Sequence, residues 1–102
     1  MMKEYTKTHE WIEKQDGIAT IGISKDAAKE VGEIVYVELP EVGKAIEKGK
    51  DSCVIESTKA AIDIEAPISG TICEVNEALK SNIALLNDCP EAEGWLYRVR
   101  YE

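Results

Sequence analysis

The chain has 102 residues, room for one ordinary domain over residues 1–102 with a modest core. Lys and Arg number 12 against 20 Asp and Glu. The resulting charge of −8 argues against nucleic acid, whose phosphates would repel it, and suits partners with basic faces.

In chain order, "MMKEYTKTHEW" has no apolar segment of the signal-peptide kind, and no later run is long enough to span a membrane, so no membrane association is expected. "GIATIGI", Gly17 to Ile23, reads as a strand that follows the turn dipeptide Asp16-Gly17. "SKDAAKEVG" predicts one short helix: Ser24 caps its first amides, Asp26 suits its first turn, and Gly32 ends it. "EIVYVELP", Glu33 to Pro40, predicts a strand stopped by proline, and "EVGKAIEKGK" is turn-rich around Gly43 and Gly49. Two strand-like arms around Lys59 follow, then "GTICEVNEAL" and the mixed segment "KSNIALLNDCPEAEG". "WLYRVRY", Trp95 to Tyr101, alternates as a closing strand. Gly32-Glu-Ile-Val-Tyr-Val echoes Gly70-Thr-Ile-Cys-Glu-Val, a weak internal repeat. The fold expected is mostly β: a flattened barrel or sandwich of two small antiparallel half-sheets, with one short helix after the first strands.

The cysteines, Cys53, Cys73 and Cys89, are odd in number, so at least one stays free in a monomer, the state expected here. That favours a reducing cytoplasm. They lack CxxC spacing, and the lone histidine, His9, does not complete a zinc set. No nucleophile motif accompanies His9, so it is expected to be packed or hydrogen-bonded, and no catalytic residue is assigned. Trp11 and Trp95 are expected as core anchors.

The stretch "DSCVIESTKAAIDIEAPISG" carries the most information. With Ser57-Thr58-Lys59-Ala60 as the loop, Glu56 opposes Ala61, Ile55 opposes Ile62, Val54 opposes Asp63 and Cys53 opposes Ile64. Cys53, Ile55, Ile62 and Ile64 then share one apolar face, and a one-residue slip scrambles both faces. Lys59 stands at the tip between small neighbours. A lysine on a surface is ordinarily a solvated charge; one held out on a framed tip is also accessible to an acylating enzyme.

At these residues the chain resembles the H proteins of the glycine cleavage system, a family of lipoyl carriers. The resemblance runs through "YTKTHEWI", "ATIGIS", "VGEIVYVELPEVGKAIEKG", "VIESTKAAIDIEAPISGTICEVNEAL" and "GWLYRV", nearly the whole chain. A biotin carrier is expected to show Met-Lys-Met at the tip, where Thr58 and Ala60 flank Lys59 here. A lipoyl domain of a 2-oxoacid dehydrogenase shares the tip but is not expected to carry "HEW" or the helix after "IGIS".

The resemblance implies a lipoyl/biotinyl-carrier-like hybrid fold and a non-catalytic carrier. Lipoic acid is implied in amide linkage on Lys59, with Glu56, Ser57, Thr58 and Ala60 as the recognition frame of the tip. The implied partners are glycine decarboxylase, which loads an aminomethyl group, aminomethyltransferase, dihydrolipoamide dehydrogenase, and a lipoate ligase or octanoyltransferase. Thr8, Glu10, Trp11 and Asp63 match the family's arm cleft, where Glu10 and Asp63 face a protonated amine and Thr8 adds a hydroxyl acceptor. Three departures stand out. The chain stops at Glu102, where family members usually continue into a C-terminal helical segment of about six turns. "SNIALLN" replaces an acidic-Pro-Glu-Leu run, and Ile62 stands where a small polar residue is usual. The alternatives are an H-like lipoyl relay, which passes lipoate to other proteins or serves another redox reaction, and an unmodified all-β interaction module.

Overall fold

A computed structural model describes residues 3–101; Met1, Met2 and Glu102 lie outside the described residues. The elements run β1 (Glu4–Tyr5), β2 (Glu10–Gln15), β3 (Ile18–Ile23), α1 (Lys25–Glu30), β4 (Ile34–Glu38), β5 (Ala45–Ile46), β6 (Asp51–Ser57), β7 (Ala61–Glu65), β8 (Gly70–Val75), α2 (Ala78–Ser81), α3 (Ala84–Asp88) and β9 (Tyr97–Arg100). They form a six-stranded sheet in the order β1-β2-β3-β9-β8-β5 and a three-stranded sheet in the order β4-β6-β7. Neighbouring strands pair antiparallel throughout the described residues, from β1 on β2 through β8 on β9.

The mostly β architecture agrees with the sequence pattern, but the sheets are unequal. The N-terminal strands β1, β2 and β3 add to β9 and enlarge one sheet. The two echoing segments fall on β4 and β8, one in each sheet, as a repeat of half-sheets requires. Asp16 and Gly17 close the β2–β3 hairpin with φ of 52° and 80°, the left-handed pair that a two-residue turn needs to match strand twist.

Helix α1 has the expected caps. The Ser24 hydroxyl accepts the Ala27 N–H at 3.1 Å, and Gly32 follows the last turn at φ 87°. Two further short helices, α2 and α3, add to the single helix expected. Neither has a side-chain cap bond; each is held by one buried leucine, Leu79 or Leu86. Tertiary burial rather than local propensity makes them.

The core lies between the sheets. Ile21, Ala19, Ile72, Tyr97 and Val99 come from the larger sheet, and Ile34, Val37, Cys53, Ile55 and Ile64 from the smaller. A hydrogen-bond chain crosses it: Tyr97 Oη donates to Ser52 Oγ at 2.8 Å, and Ser52 Oγ donates to the Ile64 carbonyl at 2.9 Å. This fixes the lysine hairpin to the larger sheet. Burial, with the Glu38 charge adding, pushes the Cys53 thiol up to about 12. All the cysteines, Cys53, Cys73 and Cys89, are free.

Candidate functional site

The β6–β7 hairpin has the register its aliphatic pattern demands. Glu56 pairs with Ala61, Ile55 with Ile62, Val54 with Asp63 and Cys53 with Ile64. Cys53, Ile55 and Ile64 are buried and Ile62 is half-buried on the inner face. The tip is tied by one hydroxyl. Ser57 Oγ accepts the N–H groups of Lys59 and Ala60, each at 3.1 Å, and lies 3.2 Å from the Ala60 carbonyl as donor. The Ser57 N–H also donates to the Ala60 carbonyl at 2.8 Å. Ser57, expected within a recognition frame, is thus the residue that shapes the turn. Thr58, Lys59 and Ala60 are exposed around it, as is Glu56.

The tip rests on the loop after α1. The Thr58 N–H donates to the Glu33 carbonyl at 3.0 Å. A β-carbon at Gly32 would come within 3.3 Å of Lys59 Cδ, so the lysine stem lies on this glycine. Asn87 secures the next residue: its Oδ1 accepts the Ile34 N–H at 2.9 Å and its Nδ2 donates to the Ile34 carbonyl at 3.0 Å. Neither Gly32 nor Asn87 was assigned a site role from the sequence. The helix-stop pattern marks Gly32, but nothing local marks Asn87.

Beyond Gly32, whose neighbour Val31 is on its wall, lies a cavity of about 450 Å³. Ile23, Val31, Ile62 and Ile64 give it aliphatic walls, and Thr8, His9, Glu10 and Asp63 line it as well. Glu10 is only 2% exposed. Thr6 Oγ1 donates to Glu10 Oε1 at 2.7 Å, and Thr8 Oγ1 donates to the same oxygen. Thr6 also accepts the Glu10 N–H at 3.1 Å, which locks the pair. Among the described residues no cation forms an ion pair with Glu10, although Lys7 also lines the cavity. A carboxylate held at this depth by two hydroxyls is a partner for a cationic group that enters the cavity.

The other assigned residues divide. Thr8 reaches Glu10, but as a donor, so its hydroxyl proton is committed to the carboxylate. Asp63 lies on the cavity rim and is exposed; pairing with Val54 puts it on the sheet face opposite Ile62 and Ile64. Trp11 is not brought to this cavity. It is buried on the other face of β2, donates Nε1–H to the Pro90 carbonyl at 3.0 Å, and packs on Gly22, where a β-carbon would sit 2.6 Å from the indole. His9 is exposed rather than packed. Its φ of 69° turns the chain at this corner, and its backbone, not its ring, is bonded, through Thr6 and Ser24.

Thr6 carries no sequence signal of its own: residues 6–9 form a turn rather than a strand, and the turn brings its hydroxyl back to Glu10. The corner they occupy is anchored by Tyr5, whose Oη donates to Glu91 Oε1 at 2.6 Å, while Glu91 Oε2 accepts the Lys25 N–H at 2.8 Å. The bond to Glu91 holds the Tyr5 hydroxyl above its ordinary value. Burial works against ionisation of Glu91, but these two donors together with the Lys25 and Lys3 charges hold its carboxyl below the usual range.

One lysine on a fixed hairpin tip, beside an aliphatic cavity with a buried acid, is the arrangement of a β-rich carrier domain. The comparisons place it more narrowly. The family model for the glycine cleavage H-protein matches residues 3–102. The glycine cleavage system H protein of Thermotoga maritima is 52% identical over 98 residues, which cover 96% of this chain and 79% of that protein. The probable glycine cleavage system H protein of Aeropyrum pernix is 47% identical over 96% of this chain and 68% of its own length. The crystal structure of a glycine cleavage system H protein from Mycobacterium marinum superposes with a TM-score of 0.91 at 39% identity, covering 97% of this chain and 83% of that one. This chain belongs to the glycine cleavage H-protein family.

Proposed function

We propose that this chain is the lipoyl-bearing carrier of glycine cleavage and that Lys59 is its attachment site. The observation that carries the reading is Glu10, a buried acid with no counter-ion among the described residues, in a cavity next to the exposed lysine tip. An unmodified interaction module has no use for such a group. A relay that hands lipoate on has no amine to hold and leaves Glu10 equally unexplained.

The residues fit the group. The cavity volume, about 450 Å³, is within the range of small-ligand sites, and its aliphatic walls suit a hydrocarbon chain. Bound on Lys59, a lipoyl group supplies a dithiol that accepts and releases a carbon unit and carries electrons. The protein's part is position. Ser57 holds the tip so that the lysine amine projects, and Gly32 leaves room for its stem. Ile62, Ile64 and Val31 exclude water from the cavity wall, and Glu10 meets a cationic amine there. Thr6 and Thr8 keep that carboxylate oriented. No side chain here acts as a nucleophile in this reading, so the chain is a carrier and not a catalyst.

The partners in this reading are glycine decarboxylase, aminomethyltransferase and dihydrolipoamide dehydrogenase, with a lipoate ligase or octanoyltransferase to modify Lys59. Among the described residues no helix is long and apolar enough to cross a membrane. The free cysteines support a reducing cytoplasm as the working compartment.

The test is peptide mapping after expression in a lipoylating host, with glycine–bicarbonate exchange by the decarboxylase as the functional readout. The lipoyl mass is expected on Lys59 alone, and Lys59→Arg is expected to abolish both modification and exchange. A lipoyl group found on Lys48, Lys50 or Lys80 instead rejects the assignment.

A further inference from the structure

The opposite edge of the lysine sheet carries a surface that the arm cavity does not use. In the order β4-β6-β7, the cavity is lined from β7 and the free edge is β4. A bulge between Ile34 and Tyr36 breaks the alternation of β4, so two consecutive apolar residues face solvent. Val35 is 50% exposed, Tyr36 53% and, in the following loop, Val42 60%. They border a groove of about 650 Å³ whose far wall includes Leu79 and Ile83. A contiguous exposed apolar patch with a polar rim marks an interaction surface.

The rim is acidic. Glu38, Glu41 and Glu77 line the groove, and its one cation, Lys80, is already paired with Glu77 at 2.9 Å. The strand that lines the groove starts at the tip of the lysine hairpin: Ile34 pairs with Ser57, and the Thr58 N–H is bonded to Glu33. The two bonds from Asn87 to Ile34 hold this edge in place, so little order has to be gained on binding.

We propose that this groove docks the enzyme that loads the arm, through an apolar ridge on that enzyme flanked by Lys or Arg. The inference rests on the carrier reading above. Charge argues for a basic partner: the rim is acidic and the whole chain carries −8. Position argues for the loading enzyme. An enzyme seated on the β4 edge has Lys59 in reach and leaves the cavity on the β7 side uncovered, so the arm can withdraw toward Glu10 before the two proteins part.

The probe is glycine decarboxylase, titrated calorimetrically with the unmodified carrier so that the arm plays no part. Tyr36→Ser with Val42→Ser is expected to weaken binding by about tenfold or more, as loss of a central aromatic contact does. Glu38→Lys with Glu41→Lys is expected to weaken it and to flatten its dependence on salt. All four side chains are exposed, so both variants are expected to fold; coincident far-UV spectra and melting curves check this. In glycine–bicarbonate exchange with the lipoylated proteins, KM for the carrier is expected to rise by a similar factor. An active wild type with unchanged affinity in both variants overturns the dock and leaves the carrier reading intact. A lipoylated wild type with no exchange overturns that reading and the dock with it. Concentration-dependent self-association that Tyr36→Ser abolishes assigns the groove to a second copy of the chain and overturns the proposal.

Discussion

Replacing Glu10 by Gln separates charge from structure. Both threonine hydroxyls donate to Oε1, an oxygen that a glutamine amide retains, so the local hydrogen bonds survive the change. What is lost is the negative charge in a site only 2% exposed. A charge-assisted contact of this kind contributes about 1.5–3 kcal/mol, and each 1.4 kcal/mol is tenfold in population. Glu10→Gln is therefore expected to speed ammonia release from the aminomethyl-loaded carrier by about 10- to 150-fold. Asp63→Asn is expected to do far less. Its carboxylate is exposed on the rim, where ion pairs contribute about 0–1 kcal/mol, or fivefold at most. The assay loads lipoylated carrier with glycine and decarboxylase, removes the enzyme, and follows ammonia in the absence of the transferase. Melting is expected to shift by no more than about 5 °C, because a loss under 1 kcal/mol moves a domain of this size by that order. Equal decay of wild type and Glu10→Gln, or faster decay of Asp63→Asn than of Glu10→Gln, refutes the assignment of the buried acid.

Ser57→Ala removes the acceptor shared by the Lys59 and Ala60 amides, and water replaces it at this exposed tip. At about 0.5–1.5 kcal/mol per bond, exchange of each of those amides is expected to quicken by roughly 2- to 13-fold with global stability little changed; unaltered exchange by NMR refutes the tie. The Cys53 thiol, raised by burial from 9.0 to about 12, predicts an alkaline loss of stability. Because the folded value lies above the unfolded one, the stabilisation is complete below pH 9 and declines as pH rises toward 12, by about 1.4 kcal/mol per unit. Tyr97, also raised by burial, adds to the decline above pH 10. Cys53→Ala is expected to make the fall of the urea midpoint between pH 9 and 11 shallower, and parallel slopes refute this.

The parts of the fold that could be read from sequence are those whose signal is local. The pairing of β6 with β7 follows from Cys53, Ile55, Ile62 and Ile64, since only one register puts all of them on one face. Helix α1 is legible because Ser24 and Gly32 mark both its ends. Helices α2 and α3 are not: each is about one turn long, uncapped by any side chain, and held by a single leucine in a core the segment does not itself contain. Strands β1 and β5 have two residues each, too few for alternation to appear. The size of the larger sheet was hidden for a related reason, because β3 joins β9 across most of the chain.

At the site, residue types were legible and depths were not. Glu10 and Asp63 look alike in sequence, yet one is buried and the other exposed. The difference arises from β2 and its neighbours. Trp11 opposes Gly22 in the β2–β3 register and lies on that glycine, pinned by its bond to Pro90. Adjacent strand residues face opposite sides, so the pinning of Trp11 turns Glu10 toward the cavity and removes Trp11 from it. That exclusion was available from the pair "EW" alone: two neighbours in one strand do not line the same cleft. Asp63 has no such anchor. It sits on β7, the edge strand of the smaller sheet, on the face away from Ile62 and Ile64, and nothing packs over it to exclude water. A charge must lose its hydration before a counter-charge is worth much to it, and of the two acids only Glu10 has done so.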